Sequence, residues 1–273
     1  SLCQQTDQRF EWLVIDDGST DETEELIKRY KLENRIHIEY VKKENGGKAS
    51  ALNLALDIVN TKYCACLDSD EYFSKNAIEI AFKNLEMIKN ADDICGILAL
   101  RRDCKGGVLG GKEIPIGVEN IKFIEINDKY DIKSEVICFY KTELIKKFRF
   151  PIFEKEKFVS PAYIQYEITR KYKFKVFRDP IIFCEYLEDG LTRNKYKVIR
   201  KNPNGYLAVK KQSFELATKF KKIIKHGIMY GAVSIMARNK KFIKESPHKI
   251  LSILLLPFSY VVYLIRFKEG KEK

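Results

Sequence analysis

Three short stretches set charged side chains beside apolar runs. Asp16 and Asp17 follow Val14 and Ile15 in VIDDGSTD, Asp68 and Asp70 close an apolar run in CLDSDE, and Lys48 follows two glycines in NGGKASALN. Two carboxylates at i, i+2 supply the hard oxygen ligands that Mg²⁺ or Mn²⁺ takes. Such ions often draw only one or two ligands from protein and the rest from phosphate and water. D-x-D is a weak signal alone, since it recurs at helix N-termini, and Glu71 either joins the set or starts the next helix. Glycines let backbone approach a ligand, and a lysine at a helix N-terminus favours phosphate. The spacing is not that of a Walker P-loop, and a lone glycine turn is as often plain punctuation. VIDDGSTD itself reads either as a polar turn from strand to helix or as one wall of a site for a polar ligand.

The elements that position these residues alternate. Residues 11–15 form a short apolar strand pattern. The helix that opens at Thr20-Asp21-Glu22-Thr23 is acidic in its first turn and basic in its last, in line with the helix dipole. Residues 36–41 alternate as a strand does, and Leu52, Ala55, Leu56 and Val59 repeat at helical spacing. Residues 63–67 are a buried-type strand, 75–89 a helix and 94–100 a strand. This β-α-β-α-β-α-β order predicts an α/β domain with a mostly parallel, Rossmann-like sheet and helices on both faces. Ligands bind at the carboxyl ends of such strands, so Asp16-Asp17 and Asp68-Ser69-Asp70 are expected to face one crevice. Further strands are expected at 136–140, 175–177 and 181–184, and a helix at 160–172 that starts with Ser160-Pro161.

The chain has 273 residues, 45% hydrophobic and 32% charged, which excludes a disordered protein. Its net charge of +12 points to an anionic partner, a nucleotide, nucleic acid or an anionic membrane surface, the other reading being a generally basic proteome. The seven cysteines include no C-x-x-C pair, which argues against zinc and for reduced core thiols in the cytosol. His37, His226 and His248 have no metal-ligand spacing, and Trp12 reads as core. Residues 195–249 carry fifteen Lys and Arg against Glu215 and Glu245. The next sixteen residues, 250–265, hold no charge and are broken by Pro257. A membrane-spanning helix needs about 20 residues, so an in-plane or re-entrant segment with basic flanks is expected. The other reading is a buried terminal helix.

Together, VIDDGSTD, NGGKASALN and CLDSDE, in this order and at these intervals, resemble a bacterial family 2 glycosyltransferase of GT-A fold over about residues 1–195. The resemblance implies a GT-A domain at 1–194, and the pattern beyond it predicts a basic helical extension at 195–273 with 250–265 associating with membrane. It implies that Asp17, supported by Asp16, contacts the nucleotide, that Lys48 lies near it, and that Asp68 sits at the ribose and metal. Asp70 is implied as the ligand of Mn²⁺ or Mg²⁺ on the donor diphosphate. The implied partners are a nucleotide-sugar, most simply a UDP-sugar, and a glycan or lipid-linked acceptor at the cytoplasmic face of the plasma membrane. The implied activity is inverting sugar transfer in cell-surface polysaccharide synthesis.

Two departures accompany the resemblance. Residues 150–161 resemble the acceptor-side segment, but Pro161 stands where relatives place an acid. That leaves Glu156 and Glu154 as the nearest candidates for the general base, ahead of Glu167. The apolar N-terminal strand and loop with which family members begin are also missing, and residues 1–6 read as the tail of the helix that follows them, so the expectation is a truncated chain. Tyr186-Leu187-Glu188-Asp189-Gly190 resembles a family loop, and no Q-x-x-R-W motif is present, which points to single sugar addition. A catalytically silent scaffold is the alternative reading. A nucleic-acid module is not supported by any recognised motif, so no nucleic-acid partner is expected.

Overall fold

The computed structural model describes residues 1–184 and 195–268. The chain divides into two compact units, Ser1–Arg149 with Ile168–Tyr186, and Phe150–Glu167 with Leu187–Lys273. Residues 150–167, which the sequence pattern groups with the α/β region, thus belong to the unit that holds the C-terminal helices.

The first unit follows the predicted alternation: β1 (Glu11–Asp16), α1 (Thr23–Glu33), β2 (His37–Lys42), α2 (Lys48–Ile58), β3 (Tyr63–Ala65), β4 (Glu71–Phe73), α3 (Ala77–Met87) and β5 (Ile94–Leu100). It continues with β6 (Asn120–Ile121), α4 (Phe123–Asp128), β7 (Val136–Lys141) and α5 (Thr142–Ile145). After α6 (Ala162–Ile168), which runs from the second unit into the first, come β8 (Lys173–Val176) and β9 (Ile182–Cys184). Every residue of β5 is buried, so its sequence ICGILAL is apolar without alternation, as a strand covered on both faces requires. α3 turns Ala77, Ile78, Ala81 and Leu85 onto a core that includes Ile97, Ala99, Ile137 and Phe139.

The expectation of a mostly parallel sheet is corrected. β1–β2 and β5–β8 are parallel, whereas β3–β7, β5–β7, β6–β8 and β4–β9 are antiparallel. The order in the central sheet is β3-β7-β5-β8-β6. The cause is β7: it inserts between β3 and β5 and runs against both, breaking the parallel series that the helical crossovers up to β5 would build. β4 was missed because it is a three-residue strand inside the acidic turn, recruited by β9. Among the described residues β1 pairs only with β2, and the β1–β2 ladder is not joined to the central sheet.

The second unit is helical: α7 (Lys195–Lys201), α8 (Pro203–Leu216), α9 (Phe220–Met236), α10 (Phe242–Glu245), α11 (Lys249–Leu254) and α12 (Leu256–Arg266). Phe214, Tyr230 and Val233 form its core. No helix among the described residues is long and apolar enough to cross a membrane. The Tyr186–Thr192 motif lies outside the described residues.

Candidate active site

The acidic pair at the end of β1 splits into two jobs. Asp16 is buried and accepts hydrogen bonds from the Ser19 amide at 2.7 Å and the Tyr40 hydroxyl at 2.5 Å. Burial pushes its carboxyl up, but the Tyr40 and Ser19 bonds outweigh that and hold it below the usual range. It locks the β1 turn against β2. Asp17 reaches sideways to the loop before α2. It accepts from the Lys43 ammonium at 2.7 Å, the Gly46 amide at 2.9 Å and the Gly47 amide at 2.6 Å. Burial raises the Asp17 carboxyl too, and the same three donors more than reverse it.

Glycine is required at both ends of this contact. Gly18 has φ +80° and a Cβ there would meet the Asn45 nitrogen at 2.9 Å. Gly47 has φ +85° at the position before α2. Both are left-handed backbone that side chains resist. The two motifs NGG and DDG therefore interlock, with the Asn45 side-chain Nδ2 also donating to the Asp17 carbonyl at 2.7 Å.

Lys48 opens α2 and its ammonium donates to Asp68, just past β3. So the second and third motifs meet as well. Asp68 also lies 3.9 Å from the Arg101 guanidinium, which holds Glu71 at 2.8 Å and Glu135 at 2.8 Å. The Glu71 side chain is only 4% exposed. Burial pushes its carboxyl up to about 7, Arg101 pulls it down and the Asp68 charge adds to the rise. Glu71 thus belongs to the site and to β4, not to a helix start. Asp70 lies in the turn between β3 and β4, exposed, and makes no hydrogen bond or salt bridge among the described residues.

Asp68 and Asp70 are two oxygen-donor side chains. Among the described residues no group of three or more His, Cys, Asp or Glu is gathered to cage a metal ion. That donor set fits a hard cation that keeps phosphate and water ligands, and it does not fit zinc.

Glu154 and Glu156 lie in the second unit. Glu154 is 90% exposed, with the Lys155 ammonium at 4.0 Å. Glu156 has both oxygens engaged: Oε1 accepts from the Asn204 amide at 2.9 Å and its side chain at 2.7 Å, and Oε2 from the Gly205 amide at 2.8 Å. It caps the start of α8. Glu167 accepts from Gln212 at 2.7 Å.

Sequence reasoning missed Lys43, Tyr40 and Arg101. Arg101 carried a usable signal: it is the first charge after the fully apolar β5 run. A cavity of about 490 Å³ lies at the opposite end of β3, lined by Lys62, Tyr63, Lys141 and Lys146, and holds none of these carboxylates.

A family model described as glycosyl transferase family 2 matches residues 1–148, more than half of the chain. The chain belongs to that family. It is 45% identical over 86 residues to an uncharacterized glycosyltransferase of Rickettsia bellii, covering 32% of this chain and 12% of that protein. It is 38% identical over 89 residues to the putative teichuronic acid biosynthesis glycosyltransferase TuaG of Bacillus subtilis, covering 32% of this chain and 34% of that protein. These matches span well under two thirds of either relative. The crystal structure of S. aureus TarS 1–349 in complex with UDP superposes with a TM-score of 0.54 at 17% identity, over 97% of this chain and 82% of that one. The shared feature is the GT-A fold.

Proposed function

We propose that this chain transfers a sugar from a nucleotide-sugar, most simply a UDP-sugar, to a glycan or lipid-linked acceptor in cell-surface polysaccharide synthesis. The observation that carries the reading is the meeting of three motifs at strand ends: Asp17 with Gly46 and Gly47, and Lys48 with Asp68. UDP in the TarS crystal and the polysaccharide role in the name of TuaG support the donor and the pathway class.

Breaking the bond between sugar and diphosphate builds negative charge on the departing phosphate. Lys48 and Arg101 are the chain's own cations for that charge. Asp70, with Asp68, would hold a Mn²⁺ or Mg²⁺ ion, which adds positive charge on the diphosphate when bound. Asp17 holds the loop on which the nucleotide rests, with Asp16 bracing it. The acceptor hydroxyl needs a base, and Glu154 suits that role better than Glu156, whose lone pairs are committed to α8. An inverting course is part of this reading, as the family resemblance implies it. The basic 195–249 segment supports work at the cytoplasmic face of the plasma membrane.

Calorimetric titration of UDP with and without Mn²⁺ tests the site. The wild type is expected to bind more tightly with the ion, and Asp70→Ala to lose that gain. Binding indifferent to metal in both proteins overturns the assignment. The occupied Glu156 and the proline at 161 favour a second reading, a nucleotide-binding scaffold without catalysis. Sugar transfer to any acceptor, or donor hydrolysis, excludes it.

A further inference from the structure

The two C-terminal helices pack Leu251, Leu255, Val262 and Tyr263 inward and still leave a second apolar face uncovered. Ile250, Ile253, Leu254, Phe258, Val261 and Ile265 recur at spacings of three and four, and each is between 52% and 77% exposed. The opposite side carries Ser252, 3% exposed, and Ser259, 1% exposed, around Leu255. The buried serines are satisfied locally. Ser259 donates to the Leu255 carbonyl at 2.9 Å and Ser252 shares a bond with Ser246 at 2.7 Å. Small side chains inside let α12 close tightly on α9. A Cβ at Gly231 would come within 2.3 Å of the Ser259 hydroxyl. A helix meant for water buries its isoleucines and exposes its serines.

The surrounding charge says which apolar medium fits. Across residues 195–268 there are seventeen Lys and Arg and two acids. Exposed Lys249 stands directly before the stripe, and exposed Arg266 and Lys268 directly after it. An anionic bilayer offers that layering, with acidic headgroups above hydrocarbon, and long basic side chains reach back from one to the other. An acidic protein would answer the charge but not the run of uncovered aliphatic side chains. The stripe covers sixteen residues, about 24 Å of helix, less than the roughly 30 Å of a hydrocarbon core, and its other side is taken by α9.

We infer that the outer face of α11 and α12 is a seat for an anionic lipid surface, lying in the plane of the bilayer with Ile253, Leu254, Phe258 and Val261 among the acyl chains. This builds on the membrane placement proposed above and assigns it to named side chains. The full chain is tested by co-sedimentation with phosphatidylglycerol-containing vesicles and with pure phosphatidylcholine vesicles. Wild type is expected to sediment with the anionic vesicles and weakly with the neutral ones. Phe258→Glu with Val261→Glu is expected to lower the partition by at least about tenfold, since two inserted apolar side chains become charges. Both positions are exposed, so the melting temperature and UDP affinity are expected to hold, and Ile253→Ser provides a milder second variant. If wild type and variants sediment equally, basic residues alone hold the membrane and the helical seat is wrong. If wild type binds no vesicle, the membrane placement fails with it. If wild type is instead an oligomer that the double variant dissociates, the face covers a second copy and the inference is overturned.

Discussion

The Arg101 guanidinium lies 2.8 Å from a Glu71 carboxylate that is almost wholly buried, and that pair ties the end of β5 to β4 beside Asp68. Burial raises the Glu71 carboxyl from 4.5 to about 7. An acid raised in the folded state binds more protons folded than unfolded between those values, so stability falls as pH rises through that window. Glu71→Gln has no such proton to lose. Thermal melts at pH 5 and pH 7.5 are expected to show the variant gaining on wild type at the higher pH. A constant difference between the two proteins would show that Glu71 titrates normally.

Asp17 carries the opposite sign. Its carboxyl lies below the ordinary 3.8, so its stabilising bonds are present above that value and fade as pH falls through the lower folded one. Asp17→Ala leaves the Gly46 and Gly47 amides without their acceptor and Lys43 with the Glu44 carbonyl but no carboxylate, and is expected to cost about 1–3 kcal/mol. UDP affinity should fall with it, because the loop before α2 loses its anchor. Urea denaturation and calorimetry on one preparation read both effects.

Lys48 and Asp70 are expected to separate in their metal dependence. Lys48→Ala is expected to weaken UDP binding by about tenfold whether or not Mn²⁺ is present, as loss of a charge-assisted contact does. Asp70→Ala is expected to remove only the increment that Mn²⁺ supplies. Titrations of the two variants with identical metal dependence would contradict this division of labour.

The two glutamates of the acceptor-side segment are expected to differ in kind. Glu156→Ala strips three hydrogen bonds from the start of α8 and should cost about 1–3 kcal/mol of stability. Glu154→Ala touches an exposed side chain and should shift stability by less than about 0.5 kcal/mol. If Glu154 is the base, its removal lowers transfer by a factor on the order of 10² to 10⁴ while UDP affinity stays put. Unchanged transfer in Glu154→Ala assigns the base elsewhere.

The motifs could be read in sequence because their chemistry is local. Asp16, Gly18, Gly47 and Lys48 sit at strand and helix ends that apolar spacing marks directly. Arg101 and Glu71 were harder, since their roles depend on β9 pairing with β4 and bridging Arg102 just past β5, which no spacing within either segment encodes. The mixed sheet escaped for the same reason: β7 has an ordinary strand pattern, and only the ladder shows that it runs between β3 and β5. Glu156 looked like a catalytic candidate because a carboxylate in a loop carries no sign of the helix it will cap 48 residues later.

The position of β8 bears on how this chain emerges from the ribosome. β8 forms the ladder between β5 and β6, yet it follows them in sequence and arrives only after residues 150–167 have gone to the other unit. A nascent chain released at residue 149 would hold the three motifs around Asp17, Lys48 and Asp68 and the whole of the matched family region. It would still expose one edge of β5 and lack the partner of β4. The first unit cannot close cotranslationally until β8 and then β9 have cleared the exit tunnel: a boundary before Lys173 leaves β5 open to pairing with other chains, and one before Ile182 leaves β4 without its partner.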